Sequence, residues 1–101
     1  MKALLISADS QSIDEVNVEG HDDITRLIGF DTLESDEVGS EGDRLFFDEE
    51  CFIRGHTGRF QIDTMIPVSG KGLVIGTEND GSSLRDAVMD IDTLKNRIKY
   101  L

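Results

Sequence analysis

Gly70-Lys71-Gly72-Leu73-Val74-Ile75-Gly76 is the stretch on which the fold turns. Three consecutive apolar residues bracketed by glycines at 70, 72 and 76 read as a short buried strand, the clearest in the second half of the chain. The same glycines invite a phosphate-loop reading, which fails on order. A P-loop places its glycines after a strand, with Lys-Ser or Lys-Thr opening a helix, and a dinucleotide fingerprint sets G-x-G-x-x-G between strand and helix. Here the strand lies between the glycines and the third glycine comes one residue late, so they read as tight turns at both strand ends.

On the carboxyl side, Thr77 to Ser83 reads as a polar loop. Glu78-Asn79-Asp80-Gly81 imitates a calcium loop, but with Gly81 as the sixth position the first and twelfth fall on Gly76 and Ala87, where carboxylates are required. Asp90 or Asp92 then caps a helix running through Leu94 and Ile98. Lys95, Arg97 and Lys99 gather at its carboxyl end, as the macrodipole favours, and Tyr100 and Leu101 pack back.

On the amino side, Ala3 to Ser7 has the length of a buried strand. Ile13, Val16 and Val18 give an imperfect strand alternation after a turn at Asp9 to Ser12, so the pair reads as a hairpin. Ile24, Leu27 and Ile28 have the i, i+3, i+4 spacing of one helix face. Asp22 and Asp23 stand at its amino end and Gly29 at its stop. A third strand is expected within Asp31 to Val38, with Leu33 its main apolar residue, and a turn at Gly39 to Asp43 leads into Arg44-Leu45-Phe46-Phe47-Asp48. Cys51-Phe52-Ile53 reads as another short strand, Gly55 to Arg59 as a loop, and Gln61 to Val68, with the single proline at 67, is the least legible segment. The expected fold is α+β: one domain over 1–101, with a single mainly antiparallel sheet of five or six strands and two short helices.

Charge divides the chain more sharply than hydropathy does. Residues 1–50 hold fifteen Asp and Glu against three Lys and Arg, residues 51–101 hold six against seven, and the net charge is −11. Such a balance bears on solubility, partner choice and encounter rate rather than on fold. It disfavours direct nucleic-acid binding, because phosphate contacts need a positive face. The lone Cys51 has no partner for an internal disulfide and reads as a small buried hydrophobe, which fits a reducing cytoplasm. The apolar run after Lys2 lasts four residues, too short for a signal peptide core or a membrane span.

Chemistry-bearing residues are sparse. His21, His56 and Cys51 share no ligand spacing, so neither metal nor cofactor is expected. Asp22-Asp23 and Asp48-Glu49-Glu50 pair carboxylates as acid–base catalysis would, but adjacent acids in turns are ordinarily solvated, and no enzyme is expected. His56 and Arg59, between Gly55 and Gly58, offer donors to an anion on a surface loop.

Met1-Lys2-Ala3-Leu4-Leu5-Ile6, Ile13-Asp14-Glu15-Val16, Leu27-Ile28-Gly29, the acidic strand and turn Asp43 to Glu50, and Gly70 through Gly81 together resemble a family of small uncharacterised proteins of bacteria, their phages and mobile elements. The resemblance covers most of the chain. It implies a phage or mobile-element setting and carries no activity and no functional residues.

Two functions are therefore weighed. The first is a non-enzymatic interaction protein that engages a basic host protein through Asp22, Asp23, Glu34, Asp36, Glu37, Asp48, Glu49 and Glu50, with a DNA mimic as its extreme form. The second is a small-ligand binder, compatible with a homo-oligomer, whose pocket joins the glycine-flanked strand at Gly72 and Gly76 to His56 and Arg59.

Overall fold

In chain order the elements are β1 (Lys2–Ser7), β2 (Ser12–Asn17), α1 (His21–Ile28), β3 (Leu33–Glu37), β4 (Asp43–Asp48), a single 3-10 turn (Cys51–Ile53), β5 (Arg59–Ile62), β6 (Val68–Ser69), β7 (Lys71–Glu78), β8 (Ser83–Arg85), α2 (Ile91–Arg97) and β9 (Ile98–Tyr100). They come from a computed structural model that describes residues 1–78 and 82–101. Six strands make the main sheet in the order β2-β1-β7-β4-β3, with β8 paired to the far end of β7. Every pairing in it is antiparallel.

The quoted strand is the middle of this sheet. β1 pairs with it from Lys71 to Ile75 and β4 from Gly72 to Gly76. Because β4 holds one side of β7, β8 must join on the side that β1 leaves at Ile75, opposite Gly76 to Glu78. The Ala87 N–H then reaches the Lys2 carbonyl at 2.8 Å and closes the junction.

Alternate residues of β7 serve two cores, which explains why the strand is apolar without interruption. Leu73 and Ile75 pack with Ala3, Phe46, Val18 and the α1 residues Ile24 and Ile28. Val74 packs on the opposite face with Leu4, Ile6, Leu45, the 3-10 turn's Cys51, and Leu94 of α2. The second core also takes Phe60, Ile62 and Val68. These come from a separate three-stranded antiparallel sheet of order β6-β5-β9.

The α+β reading, the mainly antiparallel six-stranded sheet, the amino-terminal hairpin and both helices hold. Three local expectations do not. Cys51-Phe52-Ile53 is a 3-10 turn rather than a strand, with Cys51 buried and Phe52 and Ile53 exposed. Ile98 starts β9 instead of ending α2. Thr77 and Glu78 belong to β7 rather than to a loop, and the remainder of the calcium-like segment, 79–81, lies outside the described residues. The small sheet is a second sheet for which the local sequence pattern gives no signal.

Both helices end as their sequences require. The Gly29 C-cap has φ +94° and donates to the Thr25 carbonyl at 2.8 Å. Asp90 caps α2 by accepting the Thr93 N–H at 2.8 Å. In α1 the Asp23 carboxylate reaches back to the Glu19 N–H at 2.8 Å, which anchors the first turn from inside the helix.

Candidate functional site

β3 forms one edge of the main sheet, and three of its five residues, Glu34, Asp36 and Glu37, are exposed acids. Register fixes their directions. Glu34 lies opposite Phe47 and Asp36 opposite Leu45, so both leave on the face that carries the small sheet. Glu37 lies opposite Arg44 on the α1 face and pairs with it at 3.9 Å. Among the described residues Glu34 and Asp36 have no cationic partner.

The turn after β4 extends this rim. The Glu49 N–H donates to the Thr32 carbonyl at 2.6 Å, which ties the exposed Glu49 and Glu50 to the beginning of β3. Five exposed carboxylates, Glu34, Asp36, Glu37, Glu49 and Glu50, thus border an edge strand whose five residues extend about 17 Å.

Asp48 does not share in it. Its side chain is buried and accepts from the Thr32 hydroxyl, from the Glu50 N–H at 3.0 Å and from Arg54 Nε at 3.0 Å. Burial pushes its pKa up, but the Thr32, Arg54 and Glu50 donors outweigh that and hold the carboxyl below the usual carboxylate range. Its place in the expected partner set is corrected on that ground: the carboxylate holds the 48–54 turn together. Asp22 and Asp23 stand apart from the rim in the first turn of α1, and Asp23 is engaged by Glu19 and by Arg26 at 3.2 Å.

The residues expected to form a ligand pocket are not brought together. A Cβ on Gly72 would lie 2.6 Å from Phe60 Cζ and 3.0 Å from Leu45 Cδ1, so the phenyl ring fills the space over that glycine. Over Gly76 the space is taken by Asp86, whose carbonyl oxygen would lie 2.2 Å from a Cβ. His56 packs against Gly70 and edge-on to Phe30, 3.8 Å from Asp9. Its loop is pinned by Asp9, which accepts the Gly58 N–H at 2.7 Å and the Thr57 hydroxyl at 3.2 Å. Arg59 points elsewhere, with its guanidinium 5.4 Å from the Phe52 ring centre. The glycines are close-packing positions and the loop is a fixed one. That reading of the site is therefore corrected.

A different cavity, of about 330 Å³, opens between the β3–β4 turn and α2. Val38, Val88 and Met89 supply its apolar wall, with Glu41, Asp90 and Arg97 around it. Behind it the buried Asp43 accepts the Val88 and Met89 N–H groups at 2.9 and 2.8 Å. Among the described residues no three His, Cys, Asp or Glu side chains converge as metal ligands.

No family model, curated protein or solved structure matches this chain. The phage or mobile-element setting implied by the resemblance accordingly stays an expectation. No helix among the described residues is long and apolar enough to cross a membrane.

Proposed function

We propose that this is a non-enzymatic interaction protein, phage or mobile-element encoded and cytoplasmic, that engages a basic host protein through the β3 rim. The observation that carries the reading is the edge strand itself, with Glu34 and Asp36 exposed and unpaired among the described residues and Glu49 and Glu50 beside them. A positive partner surface would be steered towards that rim, with faster encounter and discrimination against acidic competitors. The DNA-mimic form is less well supported. A protein whose grip on duplex DNA rests on about 6–10 phosphate contacts would find five exposed carboxylates on the rim.

The acids also guard an exposed strand edge against pairing with other chains, a structural duty that charged residues perform in many sheets. The two roles separate by location. The other edge strand, β2, carries Asp14 and Glu15, both exposed. Tagged wild type, Glu34→Lys with Asp36→Lys, and Asp14→Lys with Glu15→Lys are incubated with nuclease-treated bacterial lysate at low and moderate salt. A basic protein retained stoichiometrically by wild type and by the β2 variant, but lost from the β3 variant and on raising salt, is the expected result. Equal capture by all three, or none by any, overturns the proposal.

A further inference from the structure

The outer face of the small sheet has the opposite character to the rim. Phe60, Ile62 and Val68 point into the core, so Arg59 and Gln61 of β5 point out. Lys99 lies opposite Gln61, and the Leu101 N–H reaches the Arg59 carbonyl at 2.9 Å, which places both on the outward face. Phe52 and Leu101 are 54% and 57% exposed, and the Arg59 guanidinium lies over the Phe52 ring. Neither Arg59 nor Lys99 has an acidic partner among the described residues. On a chain of net charge −11, unpaired cations beside an exposed aromatic residue form a surface suited to an acidic, partly apolar counterpart.

We propose that this face docks on the β3 rim of a second copy of the chain. The counter-surface is on the same molecule: Glu34 and Asp36 are exposed acids without a cationic partner among the described residues, they sit together along one strand edge, and that edge belongs to the other sheet. The contact therefore joins unlike patches, the small-sheet face of one copy and the β3 rim of the other. The inference uses the rim's charge and not the basic host partner proposed above. Capture of that partner can fail while self-association stands, and where both exist they compete for one edge.

Electrostatics gives this association an unusual salt dependence. At about 0.01 M salt the Debye length of about 30 Å matches the 32 × 28 × 21 Å extents of the molecule. Each copy then feels the whole charge of the other and is repelled. Near 0.15 M the length falls to about 8 Å, so that only facing groups count, and near 1 M, at about 3 Å, even these are screened. Self-association is strongest at intermediate salt.

The test is the average mass in solution, by sedimentation equilibrium up to about 1 mM protein, since a contact that rests on a few exposed charges and one aromatic ring is a weak one. Wild type is expected to exceed the 11.2 kDa of one chain near 0.15 M salt and to fall towards it at both extremes. Arg59→Glu with Lys99→Glu, and separately Glu34→Lys with Asp36→Lys, should each remain monomeric. Their equimolar mixture should associate again, because each then offers the other a complementary patch. Phe52→Ser, which leaves every charge in place, should lower the mass wherever wild type associates without moving the salt optimum, and circular dichroism checks that each variant is folded. A mass of one chain under all conditions, association that survives the charge reversals, or a mixture that fails to recover overturns the proposal.

Discussion

Asp63 and Arg97 hold each other twice. The carboxylate accepts from Arg97 Nε at 3.0 Å and from Nη2, while the Asp63 backbone N–H donates to the Arg97 carbonyl at 3.0 Å. Asp63 adopts φ +50° to do so, a left-handed conformation that Asp and Asn tolerate better than most residues. The pair fastens the turn after β5 to the end of α2, where the helix gives way to β9. It thereby holds the small sheet against the rest of the molecule.

The Arg97 hydrogen bonds hold the Asp63 carboxyl below the usual carboxylate range against the opposing effect of burial. A depressed folded pKa contributes stability that is present above the unfolded pKa of about 3.9 and is lost as pH falls through the folded value. Asp63→Asn keeps the backbone tolerance and removes the charge. Urea unfolding at pH 7 should show a loss of about 0.5–1 kcal/mol, a modest figure because the pair is partly solvated. As pH falls through the depressed folded pKa of Asp63 the gap between wild type and variant should close. A gap that stays constant as pH is lowered until Asp63 is protonated would show that charge is not what Asp63 contributes.

Gly72 and Gly76 separate two kinds of crowding. An added methyl at 72 meets the end of the Phe60 ring at 2.6 Å, and a side chain can shift. At 76 it meets the Asp86 carbonyl at 2.2 Å, which is backbone at the junction of β8 with β1. Gly72→Ala should cost about 1–3 kcal/mol, and Gly76→Ala about 3 kcal/mol or more. Phe60→Leu should relieve the first and leave the second unchanged. Thermal unfolding of the three single and two double variants checks the order, and a Gly76→Ala protein as stable as wild type would contradict the close approach.

What the sequence discloses follows from how local each signal is. Leu73-Val74-Ile75 is buried on both faces and reads as a strand from its own residues, and α1 carries its period and its Gly29 stop within nine residues. The small sheet gives no such signal. Its strands have two to four residues, and β5 finds its partner at Ile98–Tyr100, more than thirty residues away. Leu94 and Ile98 have helical spacing, yet pairing of Ile98 with Ile62 prevails, and tertiary contact overrides local periodicity. The acidic edge is legible as composition, but its edge position depends on strand order, which the sequence alone does not convey. Asp48 looks like its neighbours Glu49 and Glu50 in one dimension and differs from them in being buried, where it takes the Thr32 hydroxyl and Arg54 Nε together, while Glu50 meets Arg54 at 3.3 Å from an exposed position.

That contact makes Asp48 a control for every claim about the acidic rim. Asp48→Asn should cost about 2 kcal/mol, because a buried charged acceptor of several hydrogen bonds is lost. The folded carboxyl has a depressed pKa, so this difference too should fade as pH falls through it. Partner capture by the folded variant should equal that of wild type. Capture lost in Asp48→Asn while the fold remains intact would mean that the 48–54 turn, and not the β3 edge, carries binding.

Replacing the rim acids with uncharged residues separates protection of the edge from recognition. Lys guards a strand edge as effectively as Glu or Asp, since a second strand would have to desolvate it in order to pair. Glu34→Lys with Asp36→Lys should therefore lose the basic partner and stay soluble. Glu34→Thr with Asp36→Thr presents an uncharged strand of high β-propensity at the edge of the sheet. It should lose the partner as well, and in addition scatter light and bind thioflavin T on concentration. If the Lys variant aggregates like the Thr variant, the acids act through something other than charge at the edge. If both stay soluble and both keep the partner, β3 is neither guarded nor used by these residues, and the rim is surface charge alone.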